Sequence, residues 1–105
     1  MDEPMPYAVP AAPNESVIRG KVTQVRPAPG GAGSIWDVEV IESRDVEPLA
    51  NFTRARVGES ITVYIHPDLN KTIKPGDRIK ACVFFQGDER SGVFFLKGDD
   101  VSLEE

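Results

Sequence analysis

Cysteine and histidine are scarce in this sequence, since Cys82 and His66 each occur once in 105 residues. One thiol cannot form a disulfide within the chain, and one thiol with one imidazole is too few for a Cys/His zinc site. The same scarcity excludes a catalytic triad built on histidine, and no serine lies in a nucleophile-elbow motif. The sequence therefore predicts a protein that is not an enzyme, with no cofactor and no metal site.

Long apolar runs are also missing, because no segment approaches the roughly 20 apolar residues that a membrane-spanning helix requires. The chain starts with Met1 and shows no basic region followed by an apolar stretch at its start. A lone Cys82 agrees with a reducing compartment. These features predict a cytoplasmic protein without a membrane partner.

An excess of basic residues is absent as well: twelve Lys and Arg face seventeen Asp and Glu, for a formal net charge of -5. Seven of the acids lie in residues 1–15 and 99–105, which contain no Lys or Arg. The body between these ends has twelve basic and ten acidic side chains, a balance of +2. This near-neutral body neither excludes nor strongly favours a partner that carries phosphates.

Proline is concentrated at the start, where residues 1–14 hold four of the nine prolines. Such a composition favours extended chain without stable structure. Residues 1–15 are therefore predicted to be a disordered acidic tail, residues 16–101 a single domain, and residues 102–105 a short, frayed acidic tail.

Apolar residues in the body recur with a period of two, and Gly and Pro separate the runs, which predicts strands. In residues 59–66, for example, Ile61, Val63 and Ile65 alternate with polar or aromatic neighbours. One apolar face per strand is typical of a sheet that curls around its own core, and five strands are too few for an immunoglobulin sandwich. The predicted strands are residues 16–26, 34–43, 59–66, 78–86 and 93–98.

Three segments of this pattern resemble the OB-fold: a long first strand interrupted by Gly20, a turn at residues 74–77 before the fourth strand, and a final hairpin ending in residues 94–98. The resemblance covers residues 16 to about 101 and is to single-stranded-DNA-binding OB proteins of the replication protein A type. It implies an all-β, five-stranded OB-fold-like barrel. An SH3-like small barrel remains the competing fold, because residues 67–74 leave room for only about two helical turns before Pro75.

In OB domains ligands bind around strands two and three and the loops beside them. Trp36 has the inward parity, whereas Tyr64 has the outward parity on the third strand. The OB strand order places the fifth strand between the third and the fourth. If Phe85 and Phe94 point inward, Phe84 and Phe95 join Tyr64 in an exposed aromatic row, which soluble monomers rarely present without a function.

Cations near this surface permit two interpretations. Arg19 and Lys21 would face outward beside Asp37 and Glu39 of the second strand, so we predict cross-strand ion pairs there. Cations in loops can follow a nucleic-acid backbone or simply keep the surface soluble. The candidates of this second kind are Arg26, Arg44, Arg54, Arg56 and Arg90.

Two functions remain open at this point. In the first, a non-catalytic module binds single-stranded DNA or RNA by stacking bases on the aromatic row. In the second, the same row is an interface for a protein partner, for a second copy of the chain, or for the chain's own residues 5–9.

Overall fold

The computed structural model of this chain describes residues 12–87 and 92–104, and it confirms the predicted all-β class. Two short 3-10 turns, Pro29–Gly31 and Arg54–Arg56, interrupt the connections. No α-helix occurs within the described ranges, and thus none that is long and apolar enough to cross a membrane. The strands are β1 (Ser16–Pro27), β2 (Ser34–Asp45), β3 (Ser60–Ile65), β4 (Arg78–Gly87) and β5 (Gly92–Glu104).

The five strands form one sheet that closes in a ring in the order β1-β2-β3-β5-β4, with β4 pairing back onto β1. Neighbours are antiparallel except β3 and β5, which run parallel. This parallel contact, which we call the β3–β5 seam, spans only the pairs Val63 with Phe94 and Tyr64 with Phe95. The seam is therefore the shortest joint in the ring.

The interruption that the sequence predicts in the first strand is present at Gly20, where the register of β1 against β2 shifts. A Cβ atom at this position would lie 2.5 Å from the Glu39 carbonyl oxygen and 2.7 Å from Val38 Cγ1. Only glycine allows β2 to approach so closely while β1 curves to pair with β4 as well.

The core consists of the inward residues of all five strands, and the predicted inward parity is confirmed, including that of Trp36. Phe85 is half-buried and packs against this cluster. Val101, which the sequence placed at the edge of the domain, is also buried in it. The cluster contains Ile18, Val22, Trp36, Val38, Val40, Ile61, Val63, Ile65, Ile73, Ile79, Ala81, Val83, Phe94, Leu96 and Val101.

The turn predicted before the fourth strand is present. Asp77 donates its backbone N–H to the Lys74 carbonyl at 3.1 Å, and Gly76 has a φ of 97°. In a type II turn, proline is favoured at the second position and the third residue has a positive φ, which is the arrangement of Pro75 and Gly76 here. The turn delivers the chain into β4 directly against β1, since Val22 donates to the Asp77 carbonyl at 2.8 Å.

The last strand was predicted to end at residue 98, and residues 102–105 were predicted to fray. Both predictions are wrong as far as Glu104, because β5 continues to that residue. Between the pairs Ala81 with Val101 and Val83 with Leu96, residues 97–100 bulge out opposite Cys82 alone. Gly98, with a φ of 56°, permits this bulge, after which the chain pairs with β4 again. The acidic bulge looked like the end of a strand because its sequence is that of a loop.

The prediction that residues 1–15 are a disordered tail is wrong for Asn14 and Glu15, while residues 1–11 lie outside the described ranges. The Asn14 amide donates to the Phe85 carbonyl at 2.9 Å, and its Oδ1 accepts the Phe85 N–H at 2.7 Å. Glu15 donates its N–H to the Ala50 carbonyl at 3.0 Å. Side-chain bonds to distant backbone therefore fix the entry to β1.

Candidate binding surface

The aromatic row is formed by Tyr64 of β3, Phe95 of β5 and Phe84 of β4, which are direct neighbours in the strand registers. The ring centroids of Tyr64 and Phe95 are 5.6 Å apart in an edge-to-face arrangement, and those of Phe84 and Phe95 are 5.5 Å apart with nearly parallel rings. All three rings lie on the outer face of the sheet, but each is half-buried, so the row is less exposed than the sequence predicted. The structure thus brings together the three aromatic residues that the sequence proposed.

Outward parity explains how the row arises. Each ring follows or precedes a core residue on its strand, such as Val63 before Tyr64 and Phe94 before Phe95. Side chains alternate between the two faces of a strand, so a buried neighbour places the ring outside. Mutual packing of the rings supplies about 0.5–1.5 kcal/mol per pair beyond the area they bury.

The loop between β1 and β2 supports the Tyr64 end of the row. The Tyr64 hydroxyl donates to the Ala32 carbonyl at 3.1 Å. Gly33 has a φ of 88°, and a Cβ there would lie 2.8 Å from the Tyr64 hydroxyl oxygen and 2.4 Å from the Ile65 carbonyl oxygen. Glycine at this position therefore lets the loop close onto the tyrosine ring.

An ion pair lies near each end of the aromatic row. Arg26 contacts Asp37 at 3.0 Å near the Tyr64 end, and Lys97 pairs with Glu15 near the Phe84 end. In both pairs the side chain of the cation is the more exposed partner. The exposed fraction is 41% for Arg26 and 23% for Asp37, and it is 53% for Lys97 and 17% for Glu15. The surface beside the row therefore presents positive charge outward and holds its counter-charge closer to the protein.

The Glu15 carboxylate also lies against Cys82, whose Sγ is 3.7 Å from a carboxylate oxygen. Burial, together with the negative charge of Glu15, raises the pKa of the Cys82 thiol to about 11. The hydrogen bond that Lys97 donates to Glu15 raises the pKa of Lys97. At neutral pH the thiol is protonated and the ammonium group stays charged, so Cys82 is not a thiolate nucleophile.

Arg19 has different partners from those predicted. It contacts Glu42 at 3.4 Å and Glu104 at 3.0 Å, and the hydrogen bonds that it donates to them raise its pKa, the one to Glu104 most. Arg19 lies opposite Glu42, because the register shift beside Gly20 places Glu42 there and not Ile41, so the predicted pairing with Asp37 and Glu39 is wrong for Arg19. Lys21 does lie in register with Glu39.

The other predicted arginines divide between two places. Arg44 pairs with Glu42 and Arg54 pairs with Asp45. Both carboxylates lie near the end of β2, so these two arginines contact that strand and not the aromatic row. The bonds also lower the pKa of Glu42, mainly through Arg44, and that of Asp45, mainly through Asn51. Arg90 lies outside the described residues.

Arg56 instead lines a groove beside the β3–β5 seam. The groove has a volume of about 180 Å³ and lies where β3 and β5 separate before their two paired residues. No motif in the sequence indicated it, because its existence depends on how far the parallel strands stay in register. Its lining residues are Arg56, Ser60, Ile61, Thr62, Phe85, Gly92, Val93 and Phe94.

A second depression, of about 250 Å³, lies where β3 ends and includes the inner side of Trp36. Two of its polar residues are already engaged with the β5 bulge: His66 Nε2 lies 3.1 Å from the Gly98 carbonyl oxygen, and Lys71 donates to the Val101 carbonyl. Their contacts give these residues a structural role in holding the bulge.

No family model matches this chain, and neither a curated protein nor a solved structure matches it. Among the described residues, no group of three or more His, Cys, Asp and Glu side chains is placed to hold a metal ion. The chemistry of the surface is accordingly that of aromatic rings, hydroxyls and paired charges.

Proposed function

We propose that the protein is a non-catalytic OB-type module that binds single-stranded nucleic acid across the aromatic row. The strand order supports the OB type over the SH3-like alternative, because the fifth strand lies between the third and the fourth and the long, bent first strand pairs with two neighbours. The single Cys82 thiol is in keeping with a reducing compartment, so we place the module in the cytoplasm.

The observation that carries the proposal is the continuity of the three rings across β3, β5 and β4. Proteins that bind single strands without strict sequence preference stack bases on such aromatic platforms. The centroid spacings of 5.6 and 5.5 Å place the three rings side by side, so bases of one strand could contact successive rings. Tyr64, fixed by its bond to Ala32, gives the platform a rigid end.

The cations near the ends of the row supply the second part of the argument. Arg26 and Lys97 are more exposed than the carboxylates that they pair with, so both cations are accessible to a phosphodiester. Two phosphate contacts to a single strand predict a salt dependence with a slope of about -1.4 in log K against log salt. The proposed complex is therefore held chiefly by stacking, with a shallow response to salt.

Alanine variants of the row test this proposal. Tyr64→Ala, Phe84→Ala and Phe95→Ala should each weaken binding of a fluorescently labelled deoxythymidine oligomer by about 1–3 kcal/mol, the usual contribution of one stacked base. Phe52→Ala is the matched control, because Phe52 is an exposed ring that packs on Phe85 outside the row. Fluorescence anisotropy gives the affinity, and thermal melts show that each variant is folded.

Absence of oligonucleotide binding by the unaltered protein, or equal affinities for the row variants and Phe52→Ala, would contradict the proposal. A loss of about 3–5 kcal/mol of folding stability in Phe84→Ala or Phe95→Ala would mean that the ring belongs to the core and not to an outer platform.

A second function is favoured by one specific observation. Arg19, Arg44 and Arg54 are all paired with carboxylates, so much of the basic surface is neutralised before any ligand arrives. An aromatic surface with little free charge suits a protein interface. If the row is an assembly surface, Phe95→Ala will shift the mass measured by light scattering toward the monomer and oligonucleotide binding will be absent.

A further inference from the structure

The groove beside the β3–β5 seam is continuous with the aromatic row. Tyr64 and Phe95 are the last paired residues of the seam, and they are also two of the three rings of the row. Two residues earlier on the same outward faces, Thr62 and Val93 line the groove. The groove therefore adjoins the aromatic row at Tyr64 and Phe95.

The lining of the groove combines aromatic and aliphatic side chains with polar groups. Phe85 and Phe94 contact each other there with ring centroids 5.2 Å apart, and Ile61 and Val93 form further apolar surface. Arg56 and Thr62 supply the polar atoms of the lining. This combination suits a planar ring that has polar groups on its edge and is linked to an anion.

The size of the groove restricts what enters it. Sites for complete small-molecule ligands usually measure about 300–1,000 Å³. A volume of about 180 Å³ is smaller than that range, so it suits one group of a longer ligand better than a whole molecule.

Arg56 has two hydrogen-bond partners at the groove, one of which a ligand can displace. It donates to the Ser60 carbonyl at 3.2 Å and to the Glu59 carboxylate at 2.9 Å. Glu59 is 62% exposed and Arg56 40%, so here the carboxylate is the outer partner. Exposed ion pairs are weak. A phosphate can therefore replace Glu59 while the bond to Ser60 keeps the guanidinium in place.

We propose that one base of the bound strand leaves the stack on the aromatic row and inserts into this groove, with its phosphate on Arg56. The inference rests on the proposed function and adds to it a single-nucleotide subsite. A mononucleotide unit is the one part of the strand that combines a planar base with an adjacent anion, as the groove requires.

Arginine variants provide the first test. Arg56→Gln should weaken binding of the deoxythymidine oligomer by about tenfold, as expected for a lost charge-assisted hydrogen bond, and should make the salt slope shallower by about 0.7. Arg54→Gln is the matched control, because Arg54 belongs to the same 3-10 turn but pairs with Asp45 and does not line the groove. It should leave both quantities close to those of the unaltered protein.

A fluorescent base provides the second test. A 2-aminopurine placed at successive positions of the oligonucleotide should give, at one position only, an emission that differs from the stacked positions. Val93→Tyr, which fills the groove, should abolish that difference. Ser102→Tyr, an added ring at an exposed site elsewhere on β5, should preserve it.

The outcomes separate this inference from the proposed function. If row variants weaken binding while Arg56→Gln matches Arg54→Gln and every 2-aminopurine position behaves alike, the base subsite is wrong and the stacking platform stands. If the oligonucleotide does not bind at all, both are wrong. Should Val93→Tyr fail to fold, the comparison of Arg56→Gln with Arg54→Gln decides the question.

Discussion

At the scale of single residues, Cys82 shows how neighbours determine the chemistry of a side chain. Sequence parity located it on the fourth strand, and the structure adds that it faces the β5 bulge and the Glu15 carboxylate. Neither contact could be foreseen, because both join residues far apart in the chain. Burial and a nearby negative charge both disfavour the thiolate.

Alkylation of Cys82 tests this environment. With its pKa raised from the ordinary 9.0 to about 11, the folded thiol should react very slowly with iodoacetamide at pH 8 and faster as the pH approaches 11. Mass spectrometry across a pH series gives the rates. Because the folded pKa lies above the unfolded one, the contribution of the thiol to stability is complete below pH 9 and declines as pH rises toward 11.

Glu15→Gln should speed the reaction by removing the negative charge, whereas Glu47→Gln, an exposed control, should not change it. A folded protein that reacts with the pH profile of the urea-denatured chain would show that the thiol is not shielded.

At the scale of elements, the strands could be predicted from the sequence, whereas their registers and cross-strand contacts could not. The alternation of apolar residues fixed which face of each strand is buried, because water and the core impose a period of two. Tyr64, Phe84 and Phe95 followed from that parity together with the strand order of the resembling fold. The groove at the seam and the Arg19 partners were missed, since registers and bulges depend on pairing between distant segments.

The Asn14 amide extends the sheet beyond the last backbone pair of β1 and β4. Backbone pairing between these strands ends at Ser16 and Val83, and Asn14 then bonds both the N–H and the carbonyl of Phe85. Asn14→Ala should therefore cost about 1–3 kcal/mol, the penalty for leaving a buried backbone group without a partner.

Urea denaturation measures this loss, with Asn70→Ala as the control at an exposed position in a connection. The control should change stability by less than about 0.5 kcal/mol. Equal stability for the two variants would show that Asn14 is part of a mobile tail after all.

At the scale of the whole molecule, the second half of β5 extends the pairing of β5 with β4 and adds a residue to the core. Val101 is buried in the core and Leu103 is exposed, although both belong to the segment whose sequence resembles a frayed end. Glu104 adds an ion pair with Arg19 of β1. The end of β5 is therefore part of the domain.

Val101→Ala should destabilise the fold by about 1.5–3 kcal/mol, since two methyl groups leave the core and a cavity remains. Leu103→Ala removes more atoms but should cost less than about 0.5 kcal/mol, because they are already in water. Thermal or urea unfolding gives both values. A larger loss of stability for Leu103→Ala than for Val101→Ala would mean that Leu103, and not Val101, faces the core.

The position of β5 in the ring has a consequence for the newly made protein. Since β5 is the strand that joins β3 to β4 and follows both in the chain, β1 to β4 can pair during synthesis while the ring is still open. Until Gly92–Glu104 has been added, β3 and β4 each present a row of unpaired N–H and carbonyl groups, a template on which other chains can add strands. The nascent chain is thus most exposed to aggregation just before its final strand emerges.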